Sequence, residues 1–319
     1  MSATPRGKAR ASRLRTVRPP RLARGSRIGI AAPASAFDRE ELRRGCRVLE
    51  AMGFRVELPG GLFSVHGAFA GEDAHRARLL EQLFRDPEID AVLCARGGWG
   101  SLRILPLIDY GTIARHPKAL IGFSDTTALL SAVAARTGLV VFHGPMAAGL
   151  AEAGGRTRAG FRRALCSGEP LSFRFRRRDV LRPGRAAGRL AGGNLTTLCH
   201  LVGTPFAPSF EKAILFLEDR GEAPYRIDRM LTQMRLAGLL SGVRGVVLGS
   251  FRDCGPAEEI GRIVLEALGG RSLPVAAGLA AGHGEPNLTL PLGAAATLDT
   301  GTLRLVVEPG TDATRAGRS

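Results

Sequence analysis

The chain has 319 residues, 45% of them hydrophobic, which is enough for two ordinary domains and fits a soluble globular enzyme. No apolar run approaches the roughly 18 to 20 residues that a membrane span requires, so we expect no membrane partner. Five scattered cysteines without a CxxC pair argue against a disulfide framework or a zinc site, and we expect no metal and no cofactor.

Half of the formal net charge of +16 lies at the amino terminus. Residues 1–24 carry eight basic residues and no acid among prolines, glycines and serines, so we expect a disordered tail. The tail lacks the apolar core of a secretory signal, which predicts a cytoplasmic protein. Most basic residues are arginine, which with the many alanines and glycines suggests a GC-biased genome. Nucleic acid is a candidate partner only through the tail, because the body shows no basic stripe interleaved with aromatic residues.

From residue 27 onward, strand and helix patterns alternate. Strands are predicted at 27–32, 54–58, 90–95, 119–123 and 139–143, with helices at 39–52, 72–85, 100–109 and 126–137. This alternation predicts an α/β fold whose N-terminal domain, residues 25–167, is an open, mostly parallel sheet flanked by helices. In such sheets, ligands bind beyond the carboxyl ends of the strands.

The second half of the chain repeats the alternation over a shorter length. Residues 168–188 are rich in Arg, Pro and Gly and predict a linker. A smaller α/β domain is predicted at 189–309, followed by a short tail at 310–319. Its first strand is expected at 213–217.

Ser124 lies where an apolar run, Ala119–Phe123, meets a helical run. A serine at a sharp strand-to-helix turn exposes its hydroxyl beside the positive end of a helix, as serine hydrolases require. The alternative is that Ser124 caps the helix, with Asp125 favourable in its first turn. A nucleophile also requires a base and an orienting acid from elsewhere in the chain.

His283 is the strongest candidate base among six histidines, because it lies in a glycine-flanked loop after an apolar strand. His143 follows a strand and competes with it, and His283 could equally be an ordinary surface histidine. Glu218 ends the apolar run Ala213–Leu217, where an unpaired acid is costly, so it is the candidate orienting acid. The alternative is an acid that simply begins a turn.

The turn after residue 95 offers candidate substrate contacts. The backbone N–H groups of Gly98 and Asp125 are candidates for an oxyanion hole. A phosphate loop is excluded, because no Walker-type lysine follows and the GxGxxG spacing is absent. Arg96 and Trp99 border the same turn, and the family resemblance given below makes Arg96 a candidate for binding a substrate carboxylate and Trp99 a candidate for shaping the substrate pocket.

Taken in order, these motifs resemble the LD-carboxypeptidases, the serine peptidase family that includes muramoyl-tetrapeptide carboxypeptidases and microcin C immunity peptidases. The resemblance covers roughly residues 27–309. It rests on the runs APAS at 32–35, ARGGWG at 95–100, IGFSDTT at 121–127, GGNL at 192–195, LED at 217–219, YRIDR at 225–229, GH at 282–283 and PLG at 291–293.

The resemblance implies that Ser124 is the nucleophile, His283 the general base and Glu218 the orienting acid. It also implies an N-terminal domain like that of class I glutamine amidotransferases, and a homodimer. The implied activity is a cytoplasmic serine carboxypeptidase that releases terminal D-alanine from a small peptide, murein tetrapeptide, in peptidoglycan recycling. The alternatives are a microcin C immunity-type peptidase acting on aminoacyl-nucleotide conjugates and, in another class, a non-catalytic binding protein.

Overall fold

A computed structural model describes residues 15–313, which form two β-sheets with helices packed around them. The strands are β1 (Arg27–Ala31), β2 (Arg55–Glu57), β3 (Ala91–Cys94), β4 (Ala119–Gly122), β5 (Val141–His143), β6 (Leu171–Arg174), β7 (Val180–Arg182), β8 (Arg185–Asn194), β9 (Ala213–Arg220), β10 (Gly245–Arg252), β11 (Val275–Ala276), β12 (Leu290–Leu292), β13 (Ala295–Asp299) and β14 (Arg304–Val307). The helices are α1 (Arg39–Ala51), α2 (Asp73–Arg85), α3 (Ser101–Ile104), α4 (Tyr110–Arg115), α5 (Thr127–Thr137), α6 (Gly155–Cys166), α7 (Leu195–His200), α8 (Pro224–Leu236) and α9 (Ala257–Ala267).

The first sheet has the strand order β12-β5-β4-β3-β1-β2. Its strands β1 to β5 run parallel, and β12 adds an antiparallel edge. Every residue of β3 and β4 is buried, because helices cover both faces of the sheet. The open, mostly parallel sheet predicted for the N-terminal domain is therefore confirmed.

The second sheet has the order β6-β14-β13-β8-β9-β10-β11-β7. Its centre, β8 to β11, is parallel, while β13, β14, β6 and β7 pair antiparallel. Together the two mixed sheets confirm the α/β class. The carboxyl ends of β8 and β9 lie side by side, with Asn194 opposite Glu218.

The predicted linker at 168–188 is wrong, because this stretch contributes β6, β7 and the start of β8 to the second sheet. Its Arg, Pro and Gly content obscured a short alternation in which Leu171 is buried and Ser172 and Arg174 are exposed. The pairing that makes β6 a strand is with β14, about 130 residues later in the chain. A composition-based boundary cannot detect such a distant partner.

The amino-terminal tail is also shorter than predicted. Residues 1–14 lie outside the described residues, but residues 15–24 pack against the body. Val17 donates its N–H to Gly138 O and accepts one from Val140 N, each at 2.8 Å. Leu22 is only 2% exposed and joins the main core, so the prediction of a disordered tail is wrong for residues 15–24.

The last described residues also pack against the body. Asp312 donates its N–H to Pro19 O at 2.9 Å, so the predicted C-terminal tail is wrong for residues 310–313. Within the described stretch, no helix combines the length and apolarity that crossing a membrane requires.

Replacing Leu22 with alanine should lower the free energy of unfolding by about 2–5 kcal/mol, because it removes a buried side chain from the core. Leu236, which is 76% exposed, provides the matched control, and Leu236→Ala should change stability by no more than about 0.5 kcal/mol. Urea unfolding of the full-length variants measures both values. Equal effects would show that residues 15–24 contribute nothing to the core.

Candidate active site

Ser124 has a strained backbone at the junction between β4 and α5. Phe123 is extended, Ser124 has φ +60°, and a single 3₁₀ turn, Ser124–Thr126, leads into α5. Positive φ is uncommon for a residue other than glycine and is often retained at functional sites. No side-chain capping bond is made at the start of this turn or of α5, so the helix-cap interpretation of Ser124 is wrong.

The Ser124 hydroxyl faces His283 instead. Its Oγ lies 3.1 Å from His283 Nε2, although the two residues are 159 positions apart in the chain. His283 Nδ1 lies 2.7 Å from Glu218 Oε2, and the His283 backbone N–H donates to the same oxygen at 3.1 Å. A carboxylate at Nδ1 keeps the imidazole proton on that nitrogen, which leaves Nε2 free to accept the Ser124 proton.

Glu218 is completely buried at the carboxyl end of β9. Burial raises the pKa of Glu218, and the hydrogen bond and positive charge of His283 act against that rise. Its Oε1 has no partner among the described residues, so the carboxylate relies on the two bonds that Oε2 accepts. Gly282 has φ +105°, and a Cβ there would overlap this carboxylate, so glycine lets the His283 loop approach it.

The competing histidine, His143, does not reach Ser124 by any hydrogen bond. Its ring is fully buried and packs edge-on against Phe216 at 4.9 Å between ring centroids, and against Phe123 at 5.8 Å. Burial, followed by repulsion from His283, lowers the pKa of His143 to about 3. A neutral His143 therefore forms part of the apolar support beneath His283, whose ring lies 4.9 Å from Phe123.

The glycine turn after β3 lies against Ser124. A Cβ on Gly97 would stand 3.4 Å from Ser124 Oγ, and Gly98 has φ +95°. Ser35 accepts the Trp99 N–H at 3.1 Å and so fixes the turn. Among the described residues, neither Gly98 N–H nor Asp125 N–H donates a hydrogen bond to the protein. Asp125 follows Ser124 in the chain and Gly98 follows Gly97, and the assignment of their N–H groups to an oxyanion hole stays a prediction.

A buried arginine supports this turn from behind. Arg76, on α2, donates to Gly100 O at 3.0 Å and also contacts Pro33 O and Asp73. Ser101 donates its N–H to the Asp125 carboxylate at 2.9 Å, and burial raises the pKa of Asp125. The glycine turn and the Ser124 turn are thus held in one arrangement. No sequence pattern indicated this role, since Arg76 lies on an ordinary helical face.

The His283 loop is tied to α6 of the N-terminal half by three residues that the sequence analysis missed. Thr157 donates its hydroxyl to the Glu285 carboxylate at 2.9 Å and accepts the Asn287 N–H at 2.8 Å. The Asn287 side chain then accepts the Gly282 N–H at 2.9 Å. Asn287 followed the GH motif in sequence, but nothing pointed to Thr157, 126 positions before His283.

The start of α7 makes a second contact between the two halves. Thr197 Oγ lies 3.4 Å from the Ser124 carbonyl oxygen, and Asn194 donates its N–H to Thr127 Oγ at 3.2 Å. Asn194 Nδ2 in turn donates to Asp219 at 3.0 Å. Because side chains alternate along β9, Glu218 faces His283 while its neighbour Asp219 faces α7.

The two candidate substrate contacts lie beside the glycine turn on the surface. Arg96 is exposed and donates to Ala36 O at 3.4 Å. Trp99 is 58% exposed, with its ring edge-on to Phe69 at 6.5 Å. Their roles toward a substrate stay predictions. In the part of the chain that the structure describes, no three His, Cys, Asp or Glu residues are grouped as metal ligands would be.

Comparison with known families agrees with these motifs. The N-terminal domain of LD-carboxypeptidases matches residues 28–144, and the C-terminal domain of LD-carboxypeptidases matches residues 187–298. Glu218 and His283 fall within the second match, and Ser124 falls within the first.

Three relatives align along nearly their whole length. The probable murein peptide carboxypeptidase of Bacillus subtilis is 38% identical over 92% of this chain and 95% of its own. The murein tetrapeptide carboxypeptidase of Pseudomonas aeruginosa is 35% identical over 87% and 94%. The microcin C7 self-immunity protein of Escherichia coli is 30% identical over 87% and 92%.

Solved structures of proteins with related names share this fold. The muramoyltetrapeptide carboxypeptidase from Oxalobacter formigenes superposes with a TM-score of 0.80 at 29% identity, over 91% of this chain and all of that one. A microcin immunity protein in complex with glutamyl sulfamoyl guanosine superposes with a TM-score of 0.84 at 26% identity, over 91% and 98%. The chain belongs to the LD-carboxypeptidase family.

Proposed function

We propose that this protein is a serine LD-carboxypeptidase that releases the terminal D-alanine of murein tetrapeptide, with Ser124, His283 and Glu218 as its catalytic triad. The observation that carries the proposal is the unbroken chain of contacts from Ser124 Oγ to His283 and on to buried Glu218. Relatives named as murein peptide and murein tetrapeptide carboxypeptidases support the substrate.

In the proposed reaction, His283 Nε2 takes the Ser124 proton as Oγ attacks the scissile carbonyl carbon. The N–H groups of Gly98 and Asp125 stabilise the oxygen of the tetrahedral intermediate. His283 then donates its proton to the departing amine of D-alanine, which leaves an acyl group on Ser124. A water molecule, deprotonated by His283, attacks the acyl group and regenerates the enzyme.

The strained and buried groups of the site favour catalysis over simple binding. A non-catalytic binding protein has no use for positive φ at Ser124, or for a fully buried carboxylate whose partners within residues 15–313 are all in His283. Arg96, exposed beside the glycine turn, is our candidate for binding the free carboxylate of the substrate. We place the enzyme in the cytoplasm as a homodimer acting in peptidoglycan recycling.

The second candidate is hydrolysis of aminoacyl-nucleotide conjugates. Its support is the similarity to the microcin C7 self-immunity protein, together with the exposed ring of Trp99, on which a nucleobase could stack. Comparing kcat/KM for murein tetrapeptide and for an aminoacyl-sulfamoyl adenosine separates the two. The proposed function requires the tetrapeptide to be preferred.

Ser124→Ala should lower kcat for D-alanine release by at least about 10³-fold, because the nucleophile is gone while the binding surface remains. Ser241, an exposed serine away from the triad, gives the control, and Ser241→Ala should keep wild-type kcat. Mass spectrometry of tetrapeptide and tripeptide measures both. Wild-type turnover by the Ser124 variant would refute the triad.

Glu218→Gln should lower kcat by about 10²- to 10⁴-fold, because the amide does not stabilise the imidazolium of His283. The same change should raise the free energy of unfolding near neutral pH. A buried carboxyl whose folded pKa is raised above 4.5 contributes stability at low pH that is lost as pH rises through the folded value.

The stability gain of Glu218→Gln should therefore shrink as pH falls toward about 4, where the wild-type carboxyl is protonated. Chemical denaturation at several pH values measures the difference, with exposed Glu266→Gln as the control. A gain independent of pH would contradict the assigned cause.

Thr157→Val should lower kcat about 10- to 100-fold with little change in KM, because Glu285 and Asn287 lose their common partner and the His283 loop loosens. Thr157→Ser keeps the hydroxyl and should stay within about threefold of wild type. Steady-state kinetics on both variants tests this positioning role. Equal activity of the two would show that the hydroxyl has no part in placing His283.

A further inference from the structure

The positive charge of the chain is confined to two stretches. Residues 1–24 carry eight basic residues and no acid, and residues 155–189 carry eleven arginines and two acids. The remaining 260 residues hold 26 basic and 27 acidic residues and are therefore close to neutral. A codon bias toward arginine acts on a whole chain, so it does not explain this separation.

The fold brings parts of the two stretches together. Leu22 donates its N–H to Leu165 O at 2.9 Å, so the ordered end of the first stretch runs beside the C-terminal half of α6. Two adjoining depressions of about 270 and 520 Å³ lie at this junction and share part of their lining. We call them together the arginine groove, whose basic residues are Arg21, Arg24, Arg158, Arg162 and Arg163.

No acidic side chain lines the arginine groove. Within residues 15–313, the side chains of Arg24, Arg162 and Arg163 make no hydrogen bond and no ion pair with a carboxylate. Elsewhere in the second stretch, Arg176 does meet an acid, Asp179, at 2.8 Å. The positive charges of Arg24, Arg162 and Arg163 therefore repel one another, and a bound anion removes that repulsion.

The chemistry of the groove favours phosphate. A guanidinium group presents parallel N–H donors that match phosphate oxygens, and several in a row match a repeating phosphate backbone. The exposed large apolar residues of the described chain all lie outside both stretches: Leu58, Val65, Trp99, Leu102, Leu107, Tyr225 and Leu236. The groove thus has no apolar anchor for a bilayer and no exposed aromatic ring on which unpaired bases stack.

We propose that the arginine groove binds the phosphate backbone of double-stranded nucleic acid, without reading its bases. The sequence placed this affinity only in the tail, whereas the structure adds α6 to it. Thr157, which contacts the His283 loop, lies five residues before Arg162, or about 8 Å along α6. No residue that lines the groove belongs to the triad or to the His283 loop, so the proposal does not rest on the proposed function.

The test is fluorescence anisotropy of a labelled duplex of about 20 base pairs with the full-length protein. The double variant Arg162→Glu and Arg163→Glu should weaken binding about tenfold or more and flatten the dependence of log K on log salt concentration. The control, Arg229→Glu and Arg235→Glu on α8, changes the net charge by the same amount and should weaken binding less than about threefold. Both double variants should keep wild-type tetrapeptide hydrolysis and melting temperature.

Three outcomes would overturn the proposal. Equal weakening by the two double variants would mean that net charge, rather than the groove, binds the duplex. Tighter binding to a single strand of the same length, or to vesicles containing about 30% phosphatidylserine, would identify a different partner. Absence of duplex binding by the wild type at about 50 mM salt would remove the site altogether. If the charge reversal unfolds α6, Arg162→Gln and Arg163→Gln give the same comparison with a milder change.

Discussion

The structure depends on one short pairing, in which β12 from the second half of the chain adds an antiparallel edge to the first sheet. Three residue pairs join β12 to β5, with Leu290 opposite His143. Because the loop that carries His283 ends just before β12, this pairing fixes the loop at one end. Glu218 and Thr157 hold the rest of it. The two sheets are thereby locked together at the place where Ser124, His283 and Glu218 meet.

Several groups at this place destabilise the fold. Ser124 has positive φ, Glu218 is buried with a raised pKa, and His143 is buried with no hydrogen-bond partner for either ring nitrogen among the described residues. The neighbouring groups hold these residues in their conformations: the glycine turn lies against Ser124, and aromatic rings enclose His143. Such a concentration of unfavourable groups is expected of the preorganised catalytic site that we propose, since stability alone would select against it.

Local patterns in the sequence were sufficient to locate most strands of the first sheet. Continuous apolar runs followed by helical periodicity located β3, β4 and α5 within a residue or two. The apolar pattern that buries each of these elements is contained in its own short sequence. The patterns failed where the amino-acid composition is typical of a loop although the segment pairs with a distant part of the chain. Residues 15–24 and 168–188 are rich in Arg, Pro and Gly, yet both are ordered through partners that lie far away in the chain. The two basic stretches are also far apart in the chain, so local patterns did not predict that they lie side by side.

The sequence by itself indicated the family and the fold class and gave Ser124, Glu218 and His283 as candidate site residues, because the strand ends and glycine-flanked loops that carry them are local signals. Only the tertiary structure decided between His283 and His143, since both follow strands and only burial and distance separate them. It alone revealed Thr157, whose position on α6 has no local signature. Hydrogen bonds between residues more than a hundred positions apart depend on how the sheets pack, and no window of sequence contains that information.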